Sequence, residues 1–246
     1  RGSLMTIAAT TGGGKTTLSL QLQHNFASYG AKVCLVSLEM NETELTRRNL
    51  ANWSGVNLTE LLKGRDMRPE FKTQIEQAYK ARVTELKTKG TRESVYVPDE
   101  DVGIEEIMFT LKPFNYDVII IDYISLLKGA DGDDQWRRLG AIARFAKVFA
   151  NNTNTIVVLL AQLSDEGAIR YSKAVQEHSS NFWAWIYDQR ARETGTIFVN
   201  QYKARNQKAF PFYLKEEFGN MIIRDLTDNE IQTINTNMQD RTPSGG

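Results

Sequence analysis

One segment, Ala9-Thr10-Thr11-Gly12-Gly13-Gly14-Lys15-Thr16, constrains this chain more than any other. An apolar run at residues 4–8 precedes it, and the stretch 16–29 behind it carries Leu18, Leu20, Leu22 and Phe26 in a helix-forming context. Strand, glycine-rich turn, then Lys-Thr opening a helix is the cradle for a nucleotide's phosphates. Gly12, Gly13 and Gly14 let backbone N–H groups converge on anionic oxygens without Cβ clashes. The helix N-terminus adds its positive dipole, Lys15 supplies a point charge to the outer phosphates, and the Thr16 hydroxyl is a ligand for Mg²⁺. The motif's first glycine is Ala9 here, a residue small enough to take its place. The expected ligand is ATP, held by Ala9, Thr10, Thr11, Gly12, Gly13, Gly14, Lys15, Thr16 and Thr17.

Such a site needs a carboxylate at the end of a buried strand. Val118-Ile119-Ile120-Ile121-Asp122 supplies four aliphatic residues and then an acid, which makes Asp122 the second candidate ligand for Mg²⁺. The next residue is Tyr123, so a water-orienting glutamate cannot follow directly. Glu39, after the apolar run 33–38, is the candidate base; the competing reading makes it a cap for the helix that follows. Glu44 is expected on that helix's face. Gln162 closes another apolar run, Val157-Val158-Leu159-Leu160-Ala161, and is a candidate sensor of the terminal phosphate.

Apolar runs at 4–8, 33–38, 94–97, 118–122, 155–160, 196–200, 212–214 and 221–224 read as strands. Helical stretches at 16–29, 42–53, 69–87, 104–111 and 134–150 lie between the early ones. This alternation predicts an α/β fold: one mainly parallel sheet flanked by helices, with a C-terminal antiparallel hairpin at its edge. The expected domain is residues 1–227. The Asn-, Gln- and Thr-rich stretch 228–246 reads as a disordered tail or an expression scar. Lys+Arg and Asp+Glu are each 30, so net charge makes no case for nucleic acid and any such site must be local. The single cysteine, Cys34, sits in an apolar run and argues against a disulfide scaffold. His24 and His178 stand alone, so no zinc site is expected. No apolar stretch is long enough to span a membrane, and no leader is seen. Trp183 and Trp185, in Phe182-Trp183-Ala184-Trp185-Ile186-Tyr187, read as core packing on a strand rather than base-stacking residues. Arg47 and Arg48 are expected on a solvated or intersubunit helix face.

Five segments in order, Gly14-Lys15-Thr16-Thr17, Ser37-Leu38-Glu39-Met40, Ile121-Asp122-Tyr123, Ala161-Gln162-Leu163-Ser164 and Lys203-Ala204-Arg205-Asn206, resemble the C-terminal motor domain of DnaB-type hexameric replicative helicases. The resemblance implies a RecA-like P-loop fold and a homo-hexamer that hydrolyses ATP between subunits while moving on single-stranded DNA. It also implies that Arg205 is an arginine finger acting on the neighbour's nucleotide, with Lys203 as its companion; by themselves these two read as a solvated basic turn. The segment Ile169-Arg170-Tyr171-Ser172-Lys173-Ala174 is similar to the family's DNA-tracking pore loop, which makes Arg170, Tyr171 and Lys173 the candidate DNA contacts. The stretch 128–138 is a second candidate loop, and its acidity makes it a poor binder. A primase or other replisome protein is an implied partner, and the cytoplasm of a bacterium or phage-infected cell the implied location. Two other classes stay open: a RecA-like recombinase or ring ATPase that does not unwind, and an ATP-gated loader.

Overall fold

A computed structural model describes residues 2–98, 101–129, 135–163, 172–205 and 207–239. The chain runs β1 (Ser3–Ala9), α1 (Lys15–Ser28), β2 (Lys32–Ser37), α2 (Glu42–Ser54), α3 (Leu58–Leu62), α4 (Pro69–Lys89), β3 (Arg92–Tyr96) and α5 (Ile104–Leu111). It continues with β4 (Val118–Asp122), α6 (Gln135–Thr153), β5 (Ile156–Gln162), α7 (Ser172–His178), β6 (Asn181–Ile186), α8 (Gln189–Thr194), β7 (Thr196–Ala204), β8 (Phe212–Glu217), β9 (Ile222–Asp225) and α9 (Asp228–Gln239). The strands form one sheet in the order β3-β2-β4-β5-β1-β6-β7-β8-β9. From β3 to β6 the neighbours are parallel; β7, β8 and β9 then return antiparallel.

The central strands are covered on both faces, which explains their unbroken apolar runs. Alternate residues serve two cores: Cys34, Ile119, Ile121 and Leu159 face the α5–α6 layer, while Leu35, Ile120, Val158 and Leu160 face the α1–α2 layer. Each helix turns toward its core by ordinary periodicity. In α5, Ile104, Ile107, Met108 and Leu111 are all buried, with Glu105 and Glu106 at the dipole's positive end. The Cys34 thiol is buried within β2, and burial pushes it up to about 12, so it is a packing group. No helix among the described residues is long and apolar enough to cross a membrane.

The long helix α4 buries one residue, Arg82. Its guanidinium donates to both Glu93 carboxylate oxygens, to Glu85 Oε2 (2.6 Å), to Ser28 Oγ (2.8 Å) and to the His24 carbonyl (3.0 Å). One cation thereby ties α4 to α1 and to the edge strand β3. Burial and the Arg82 charge push the His24 imidazole down to about 4.

Sequence boundaries and structure agree closely for the early elements and part company at the end. The stretch from Asp228, expected to be disordered, carries α9 as far as Gln239. Its start is a capping box: Thr227 N–H donates to Glu230 Oε2 (2.8 Å), and Glu230 N–H donates to Thr227 Oγ1 (3.4 Å). Arg224 of β9 donates to both Glu230 oxygens, at 2.9 and 3.1 Å, joining the helix to the sheet. The short helices α3, α7 and α8 were not foreseen. The signal for α8 was present, because the Asp188 side chain accepts from Ala191 N–H and Gly195 ends the helix at φ 62°.

Two outcomes are expected. Arg82→Ala should cost about 3–5 kcal/mol in denaturant unfolding, since Glu93 would remain buried without its cation. The Glu230 carboxyl is held down to about 2 by Arg224 first and the Thr227 N–H second. Its folded pKa is depressed, so its contribution is complete above the ordinary carboxylate range and lost as pH falls toward 2. The Cα chemical shifts of α9 should lose helical character in that window, while those of α5 persist.

Candidate nucleotide site

The parallel strands all deliver their carboxyl ends to one edge of the sheet, where an open α/β fold binds its ligands. Ala9 closes β1 there, fully buried, with Gln162 of β5 and Trp185 of β6 as its register partners. A methyl group in the first glycine position therefore packs inside the sheet. The turn beyond is pinned by its own backbone, Gly13 N–H donating to the Thr10 carbonyl at 3.0 Å, and by β6, whose Trp185 indole donates to the Gly13 carbonyl at 2.7 Å. Trp185 is core, as expected, and also a hydrogen-bonding prop for the loop. Gly14 caps α1 at φ 78°, a left-handed conformation, and a Cβ there would run into the Phe218 ring.

Behind this turn the sheet edge brings together the predicted residues. Lys15 opens α1, its ammonium 5.3 Å from the centre of the Tyr123 ring. Burial lowers its pKa, and the nearby Asp122 and Glu39 carboxylates pull it back up. Asp122 ends β4 with 3% of its surface exposed. Ser19 Oγ donates to its Oδ2 at 3.1 Å, while Oδ1 is buried with no hydrogen-bond partner. Desolvation pushes the Asp122 carboxyl up, against the Thr16 and Ser19 hydroxyls, which favour the ionised form. Glu39 lies just beyond β2, exposed at the cleft. It is not the cap of α2; Asn41 is, its side chain accepting from Glu44 N–H at 3.0 Å. Glu44 instead pairs with Arg48 at 3.1 Å. Gln162 Nε2 donates to Thr11 Oγ1 at 2.8 Å, linking the end of β5 to the glycine turn.

The glycine turn, Lys15, Thr16, Glu39, Tyr123 and Gln162 line a cleft of about 450 Å³, and Asp122 is buried at the end of β4, next in the chain to Tyr123. A larger cavity of about 560 Å³ lies between α9 and the C-terminal strands, lined by Phe210, Phe212, Tyr213 and Leu226. It has no phosphate-binding chemistry, and the smaller cleft is the one built for an anion. Arg48, Leu58, Phe218 and Met221 line the cleft and lay outside the sequence expectations. Arg48, read as a solvated or intersubunit residue, faces the cleft, with Nη1 3.8 Å from the Met221 sulfur. Phe218 and Met221 come from the turn between β8 and β9, more than 200 residues from the glycine loop. Asn52 of α2 donates to the Met221 carbonyl at 2.6 Å, and Thr17 Oγ1 is directed at the Met221 sulfur, 3.8 Å away. Thr17, expected beside the phosphates, is buried and faces this turn.

The basic pair lies elsewhere. β7 runs antiparallel to β6, and its last residue Ala204 pairs with Asn181 at the start of β6. Four residues of strand, about 13 Å, separate that level from Trp185 beneath the glycine loop. Lys203 and Arg205 therefore lie at the end of the sheet opposite the cleft. Of the candidate DNA contacts, Lys173 is exposed on α7. Arg170 and Tyr171 lie outside the described residues, as do residues 130–134 of the acidic stretch.

Comparison with known proteins agrees with this arrangement. A "Probable plasmid replicative DNA helicase" of Chlamydia trachomatis serovar L2 is 29% identical over 174 residues, 70% of this chain and 38% of that protein. The chain thus spans about two fifths of the length of the curated relatives it matches. A solved DnaB-like replicative helicase, described with its interactions with primase, superposes with a TM-score of 0.80 at 19% identity. That match covers 92% of this chain and 58% of the other. A separately solved ATPase domain gives a TM-score of 0.79 at 19% identity, covering 92% and 85%. At those identities the likeness establishes the fold alone, a mixed sheet flanked by helices with antiparallel C-terminal strands. The sequence model of one family, described as the DnaB-like helicase C terminal domain, matches residues 1–177. This chain belongs to that family, the DnaB-like helicase C terminal domain.

Proposed function

We propose that the chain is the ATP-driven motor of a ring-forming DNA helicase, a homo-hexamer that completes each nucleotide site between two copies and moves on single-stranded DNA. The observation that carries this reading is the division of the machinery between the two ends of the sheet. Lys15, Thr16, Asp122, Glu39 and Gln162 share the carboxyl edge, and Lys203 and Arg205 occupy the opposite one. Arg205 is on the wrong side of the sheet to serve its own glycine loop, so it serves a neighbour's.

Within one copy, the glycine turn and Lys15 bind the ATP phosphates. The orphaned Asp122 Oδ1 and the adjacent Thr16 hydroxyl suit a Mg²⁺ that keeps most of its water, since the described residues hold no cluster of three acids, histidines or cysteines. A Mg²⁺ held by Asp122 and Thr16 would supply neutralisation of the phosphates' charge. Glu39 orients and deprotonates the attacking water from the open side of the cleft. Gln162, bonded to Thr11, reads the terminal phosphate, and Arg48 adds a second cation on the same wall. Arg205 from the next copy, with Lys203 beside it, stabilises charge on the transferring phosphoryl group. Lys173, Arg170 and Tyr171 hold the DNA backbone. A primase or other replisome protein is the proposed partner, and the cytoplasm of a bacterium or a phage-infected cell the proposed location.

Single-stranded DNA should accelerate ATP turnover by the assembled protein, and a forked duplex should open only with ATP. No stimulation by DNA would overturn the helicase reading; stimulation without strand displacement would assign a translocase or recombinase-like activity instead. Arg205→Ala should bind nucleotide normally, lose turnover and poison wild-type copies in mixed assemblies; simple dilution would count against action in trans. Asp122→Asn should reduce turnover about 100-fold. Burial raises the Asp122 pKa, so its charge destabilises the ligand-free fold at neutral pH, and the same variant should melt no lower than wild type at pH 7.

A further inference from the structure

Lys203 and Arg205 are accompanied by a third cation. Lys147, on α6, donates from Nζ to Ser180 Oγ at 3.0 Å and to the Gly2 carbonyl at 3.3 Å. Ser180 is buried and directly precedes Asn181, whose side chain accepts from the Arg205 backbone N–H at 3.1 Å. Lys203 Nζ donates to the carbonyls of Gln176 and Glu177, at 3.1 and 3.0 Å, at the end of α7. Both ammonium groups are thus held in place by neutral oxygens, and none of the three cations forms an ion pair among the described residues. Arg205 differs from the other two: its backbone is fixed, its side chain is exposed, and its guanidinium has no protein partner among the described residues. Lys147 is close enough to both that burial and the Arg205 and Lys203 charges lower its pKa.

Like charges gathered around neutral acceptors repel one another until an anion arrives. Two of these charges are tethered and the third is free, so the repulsion acts on the free one. We propose that Lys147 is a positioning residue of the intersubunit site: together with Lys203 it forms a fixed pair of positive charges that turns the Arg205 guanidinium away from its own chain and toward the terminal phosphate of the neighbour's nucleotide. The Lys147–Ser180 hydrogen bond also holds the strand end to which the Arg205 backbone is attached. Lys147 touches no nucleotide itself. The inference rests on the trans role of Arg205 proposed above.

The test is steady-state ATP hydrolysis by the assembled protein, with melting temperature and assembly mass measured on the same samples. Lys147→Met keeps the aliphatic stem and removes the charge; it should lower kcat about tenfold and leave KM for ATP within about twofold. Lys147→Arg, which restores a cation, should recover kcat. Ser180→Ala frees the ammonium without removing it and should lower kcat by less, again without moving KM. An unchanged kcat in Lys147→Met overturns the inference, as does a loss that Lys147→Arg fails to restore. If Lys147→Met does not assemble, Ser180→Ala decides: an unchanged kcat there overturns the inference. Arg205→Ala separates the two levels. Full turnover in Arg205→Ala removes the trans finger itself, whereas an inactive Arg205→Ala beside a fully active Lys147→Met removes the role of Lys147 alone.

Discussion

A carboxylate buried at the end of a strand is costly unless something positive meets it, and Asp122 is such a group. Ser19 donates to one of its oxygens, and the other has no hydrogen-bond partner among the described residues. Much of the site can be understood from that imbalance. Lys15 is drawn toward two acids, its own ammonium partly desolvated against Tyr123. The glycine turn brings backbone donors and a helix N-terminus close by, so the edge of the sheet favours an anion carried in with its own cation. Under the proposed function, nucleotide and magnesium would answer both demands together.

The site is also held from a distance in sequence. The turn between β8 and β9 lies against Gly14, its Met221 carbonyl is fastened to Asn52 of α2, and Glu216 accepts from the Tyr187 hydroxyl at 3.2 Å. Trp185 holds the glycine loop from β6. The antiparallel C-terminal strands therefore contribute to the candidate cleft, although the family match stops at residue 177.

The parts of this arrangement that were legible in the sequence follow from short-range rules. Val118-Ile119-Ile120-Ile121-Asp122 is readable because a strand buried on both faces must be apolar until it reaches the edge. The glycine loop is readable because few other sequences bring N–H groups together that way. Glu39 and Gln162 came from the same strand-end argument. The place of Arg48 at the cleft was not legible, because its local context, an i,i+4 pair with Glu44, is that of a surface helix; what turns it to the cleft is the packing of α2 on Met221. The indole of Trp185 was legible as bulk and not as a donor, since periodicity reports burial alone. In the tail, a polar composition outweighed a capping box, Thr227 to Glu230, that was present in the letters. Lys147 had no signal at all: nothing near it on α6 indicates that β7 ends beside it.

The reversal of chain direction between β6 and β7 has one more consequence. It puts the glycine loop at one end of the sheet and Arg205 at the other, which under the proposed function are the acceptor end and the donor end of each copy. Two copies related by a twofold axis complete both sites only where loop and finger share one self-complementary patch, and here they lie at opposite ends of the sheet. A head-to-tail arrangement brings one copy's donor end to the next copy's acceptor end without that requirement. An open row of n such copies contains n − 1 finished sites, with one unserved loop and one idle finger at its ends. Closure into a ring supplies the last site without adding a subunit, so on this reading the circular form is favoured by the chemistry of hydrolysis itself, apart from any need to surround a strand of DNA.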